Sequence, residues 1–96
     1  MSLIVDQQKK IFDINVLKEG YLIYGRHRSW AEGIGGFIAA ITEDRITVQY
    51  HPSIRNVTNH YYILASEVAE GEWDILASKD MVVIYEEKLK EQEDAI

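Results

Sequence analysis

Gly33–Tyr50 reads G-I-G-G-F-I-A-A-I-T-E-D-R-I-T-V-Q-Y. A glycine cluster leads into an apolar run, Glu43-Asp44-Arg45 supplies a polar turn, and Ile46–Tyr50 then alternates. Apolar residues at every second position mark a strand buried on one face. Ile46, Val48 and Tyr50 therefore share one face, and Thr47 and Gln49 the other. With Phe37–Thr42 as its partner, this second run makes a tight antiparallel hairpin. The rest of the chain can be laid around it as a small all-β domain.

Upstream, Leu17-Lys18-Glu19-Gly20 reads as a turn in which Gly20 is free to take positive φ. Tyr21–Arg28 is aromatic and β-branched, then basic, and reads as a strand. Tyr21, Ile23 and His27 fall on one face, and Leu22, Tyr24, Arg26 and Arg28 on the other. Gly25 reads as a bulge, and Ser29–Gly36 as the main loop.

Downstream, a loop around Pro52 precedes a strand over Val57–Leu64. Ser66–Gly71 reads as one helical turn, with Ser66 as cap and Gly71 as stop. Glu72–Ser78 alternates, placing Trp73, Ile75 and Ala77 inward and Glu72, Asp74 and Ser78 outward. Met81–Tyr85 (M-V-V-I-Y) is apolar on both faces, as in a central strand or an edge covered by another chain. Charges at Lys79, Asp80, Glu86 and Glu87 flank it as gatekeepers.

Ninety-six residues make one domain, and 47% hydrophobic composition fills one modest core. Residues 1–10 and 88–96 read as loose termini. The absence of cysteine excludes disulfides and thiolate chemistry. With no signal-like segment and no long apolar run, the expectation is a cytoplasmic protein that makes no use of a membrane. The net charge of −6 is uneven: residues 1–60 carry +1 and residues 61–96 carry −7. That balance disfavours broad electrostatic capture of nucleic acid.

Leu17-Lys18-Glu19-Gly20-Tyr21-x-Ile23, Gly35-Gly36-x-Ile38-x-x-Ile41 and Ile46-x-Val48-x-Tyr50 together resemble the opening half of SH3-like barrels of the KOW and Tudor kind. The resemblance covers roughly residues 15–64 and implies a small SH3-like barrel of five or six antiparallel strands with one short helical turn. Glu67-Val68-x-x-Gly71-Glu72-Trp73 and Ser78-x-Asp80 are similar to uncharacterised small proteins carried on bacterial mobile elements, a likeness that implies no biochemical activity.

Arg26-x-Arg28-x-Trp30 combines charge for a phosphate with a π-face for a base. The same residue types are enriched at protein interfaces. Tyr50 and His51 border the hairpin on its other side and complete a candidate interaction surface. Met81, Val82, Val83, Ile84 and Tyr85 form a candidate oligomer strand. Gly33-x-Gly35-Gly36 opens into a strand, with neither the helix nor the lysine that a phosphate loop needs. His27, His51 and His60 show no ligand pair on one element, so hydrogen-bonded or solvated histidines are expected rather than a metal site. Tyr24, Tyr50, Tyr61 and Tyr62 are expected in sheet packing. Glu67, Glu70, Glu72 and Asp74 offer carboxylates, but on what reads as a solvated face.

The expectation is thus a non-enzymatic interaction module without catalytic residues or cofactor. It binds another protein or itself as a homo-oligomer. Nucleic-acid binding through Arg26, Arg28 and Trp30 is the alternative.

Overall fold

The computed structural model describes residues 3–6, 11–50 and 59–89. Its elements are β1 (Ile4–Asp6), β2 (Ile11–Phe12), β3 (Leu22–His27), β4 (Ile34–Ile41), β5 (Arg45–Gln49), β6 (His60–Leu64), α1 (Ala65–Ala69), β7 (Trp73–Ser78) and β8 (Tyr85–Glu87). β1 and β2 pair with each other, within and beside the segment expected to be loose. The others build a six-stranded antiparallel sheet in the order β6-β5-β4-β3-β7-β8. This is the all-β architecture with one helical turn that the pattern predicts.

The hairpin sits where its alternation puts it. β4 faces β5 with Ile38 opposite Val48 and Ile41 opposite Ile46, and one bulge falls between Ile38 and Ala40. Ile46 and Val48 are fully buried. Thr42 shapes the turn by accepting the Asp44 and Arg45 amides on Oγ1. The turn is also held from outside, since the Glu43 and Asp44 carbonyls accept the Phe12 and Ala65 amides, each at 2.8 Å. That ties β2 and α1 to the same end of the sheet. There Leu3, Phe12, Leu17 and Val68 join the core.

β3 is one of the two central strands, paired with β4 on one side and β7 on the other. Ile23 and Gly25 face the core, whereas Leu22 and Tyr24 face outward. Trp73, Ile75 and Ala77 point inward from β7, as their spacing predicts.

The glycines act differently from expectation. Gly25 lies in regular register between Tyr24 and Arg26, with no bulge. A Cβ there would stand 2.8 Å from the Tyr61 hydroxyl and 3.3 Å from Trp73. Gly35 and Gly36 belong to β4 rather than to a loop, opposite Tyr24 and Ile23. A Cβ on Gly36 would collide with the Gln49 carbonyl, and one on Gly33 with the Tyr24 ring. Close approach, and not positive φ, is what Gly25, Gly33 and Gly36 require, whereas a Cβ on Gly35 would meet nothing; positive φ occurs at Gly20 and Gly71.

Three further expectations are corrected. Ser66 is not the helix cap: Leu64 holds that place and makes no side-chain cap hydrogen bond. Ser78 is not outward but buried. Its Oγ donates to the Val83 carbonyl at 2.7 Å and accepts the Met81 amide at 2.8 Å. Met81–Tyr85 is therefore not a strand. Met81–Ile84 forms a loop, with Met81 at φ 65°, and only Tyr85 enters β8. Local side-chain bonds from Ser78 and Asp80 win over the β-propensity of the run.

Candidate functional site

Three surfaces are candidates, and the first contains the predicted Arg–Trp group. Arg26 projects from β3 opposite Asp74 of β7. Its Nη1 donates to the Trp30 carbonyl at 2.9 Å, and its Nη2 donates to Asp74 Oδ2 at 3.3 Å. The other Asp74 oxygen accepts the Leu89 amide at 2.9 Å. Arg26 is thus a strut between the loop after β3 and the far side of β7.

Trp30 turns inward. Its ring meets Tyr61 and Trp73 edge-on, each at 5.2 Å, and Tyr61 stacks on Trp73 at 6.0 Å. His27 meets the edge of Trp73 at 5.1 Å, and Tyr50 lies 6.0 Å from Tyr61. Tyr61 anchors the cluster by donating its hydroxyl to the Ile34 carbonyl at 2.8 Å. Burial pushes its phenol well above the usual range.

The structure therefore brings Trp30 and Tyr50 into one aromatic cluster as packing, with Arg26 tied to it through the Trp30 carbonyl. Arg28 is exposed, and among the described residues its side chain makes no hydrogen bond or ion pair. His51 lies outside the described residues.

The second surface is an apolar groove on the outer face of the sheet. Leu22 and Tyr24 of β3 and Leu76 of β7 form its floor, and Met81 and Ile84 its wall. Its volume is about 410 Å³. Leu22, Leu76 and Ile84 remain more than two-fifths exposed, and Val82 at the loop tip is 80% exposed. The loop keeps its form through Asp80, whose carboxylate accepts the Val82 amide at 2.9 Å and the Val83 amide at 3.2 Å. Those two amides hold the Asp80 carboxyl below its usual range.

The third surface joins residues far apart in sequence. Glu72 Oε1 lies 3.2 Å from His27 Nε2. Glu67, from α1, accepts the Trp73 indole N–H on Oε1 at 3.2 Å. His27, Glu67 and Glu72 each place one ligand-type atom within 4.8 Å of the others. The sequence pattern misses this group because His27 and Glu72 are 45 positions apart. The signal for it is a pairing, His27 opposite Trp73, and not a spacing.

No helix among the described residues is long and apolar enough to cross a membrane. No curated protein and no solved structure gives a significant match to the chain. Residues 3–84, from the β1 pair through the groove-lining loop, match one family, so the chain belongs to the family described as Domain of unknown function (DUF5026).

Proposed function

We propose that the chain is a non-enzymatic protein-interaction module that associates with a second copy of itself through the groove and the Met81–Ile84 loop. The observation that carries this reading is the adjacency of an apolar knob to an apolar slot. Met81 and Val82 stand 66% and 80% exposed beside the groove floored by Leu22, Tyr24 and Leu76. A two-fold interface needs one surface that is complementary to itself, and a knob next to a slot meets that need. Exposed apolar residues gathered on one face, rather than scattered singly, mark an interaction surface. The role first expected of a strand thus passes to a loop and the sheet face beneath it.

The kinship with SH3-like barrels, the likeness to small proteins of bacterial mobile elements and the cytoplasmic setting belong to the same proposal. The glycine-led β4 and its tight hairpin support the first of these. Nucleic-acid binding has less support, because the Arg26 donors are engaged internally and Trp30 packs against the core.

Sedimentation equilibrium over a range of concentrations tests the proposal. The expected result is a reversible dimer that Val82→Lys weakens. A monomer at every concentration would contradict it.

A further inference from the structure

We propose that His27, Glu67 and Glu72 form a binding site for one divalent transition-metal ion, represented by Zn2+. The three side chains come from the end of β3, from α1 and from the turn into β7, and converge with ligand-type atoms within 4.8 Å. A tetrahedral ion with bonds of about 2.0–2.2 Å holds its ligands roughly 3.3–3.6 Å apart. The His27–Glu72 pair already stands at 3.2 Å. Glu67 closes the remaining distance by rotation about its outer torsions.

Residues outside the group prepare it. His27 Nδ1 accepts the Ser29 amide at 3.2 Å and lies 2.7 Å from Ser29 Oγ; with Nε2 on a metal, Nδ1 would carry the proton, give up the amide and donate to Ser29 Oγ instead. Trp73 edges the imidazole at 5.1 Å and donates its indole N–H to Glu67. That bond restrains the Glu67 carboxylate through Oε1.

Charge points the same way. Among the described residues, neither Glu67 nor Glu72 pairs with a lysine or arginine; the nearby Arg26 is held by Asp74. Two carboxylates sharing a half-buried corner with an imidazole are neutralised by a dication. One nitrogen and two oxygen donors suit zinc or a related ion better than calcium, which takes six to eight oxygens. The three ligands are only half-buried, which leaves a remaining position for water.

The test is titration of the full chain, first stripped with chelator, with zinc chloride. Calorimetry and tryptophan emission follow it, because Trp73 touches a ligand. We expect saturable binding of one ion per chain, weakened about tenfold or more by Glu72→Gln and by Glu67→Gln. His60→Gln should leave it unchanged. Long-range nitrogen NMR on the unsubstituted chain supplies a reading independent of any variant: zinc should move the His27 Nε2 resonance and leave His60 in place. A response that never saturates, binding that survives both glutamine substitutions, or a shift confined to His60 overturns the proposal.

Discussion

Arg26 and Trp30 are joined through the backbone: the guanidinium of one donates to the carbonyl of the other at 2.9 Å, and the same guanidinium reaches Asp74. The bond turns a candidate binding pair into a brace for the loop after β3. Arg26→Ala should therefore loosen that loop. The expected cost is about 1 kcal/mol, a charge-assisted bond discounted for partial exposure. Urea denaturation measures it, and a red shift of tryptophan emission would report the loosened Trp30.

Gly25 leaves the space that the aromatic cluster occupies. Gly25→Ala would set a methyl group 2.8 Å from the Tyr61 hydroxyl. It should cost about 1–3 kcal/mol through overpacking. Adding Tyr61→Phe removes the atom that meets it, so the two costs should fall short of additivity. A double-mutant cycle by thermal unfolding checks the coupling.

Tyr61 also sets an alkaline limit. Its folded phenol is raised above its ordinary value of 10.0 by burial. The stability it contributes is present below that value and is lost as pH rises toward the folded value. Tyrosinate absorbance follows the Tyr61 phenol. A late step should coincide with loss of the sheet signal in circular dichroism, and Tyr61→Phe should abolish that step.

Asp80 gives the opposite sign. Its folded carboxyl is lowered by the Val82 and Val83 amides. Its hold on the loop is therefore complete above the ordinary value of 3.8 and is lost as pH falls through the lowered one. Protection of the Val82 and Val83 amides, measured against their intrinsic exchange rates, should fall across that acid range. Asp80→Ala should remove the same protection at neutral pH.

Much of the fold is legible where local pattern and burial agree. Ile46 and Val48 face inward by alternation, Trp73, Ile75 and Ala77 do the same, and Gly20 and Gly71 take positive φ where a turn or a helix end needs it. The reading fails where a few polar side chains overrule composition. M-V-V-I-Y has the content of a strand, yet the Ser78 hydroxyl and the Asp80 carboxylate curl most of it into a loop. It fails again where a contact depends on strand pairing. Arg26 meets Asp74, and His27 meets Glu72, only because β3 lies beside β7. Neither strand states its neighbour.

The most direct test of the central claim is sedimentation equilibrium of the unmodified chain beside Val82→Lys and Leu76→Glu, one placed on the knob and one on the floor of the groove. Reversible dimerisation that both substitutions weaken, with circular dichroism unchanged, is the predicted result. A monomer throughout, or a dimer indifferent to both substitutions, would contradict association through this face.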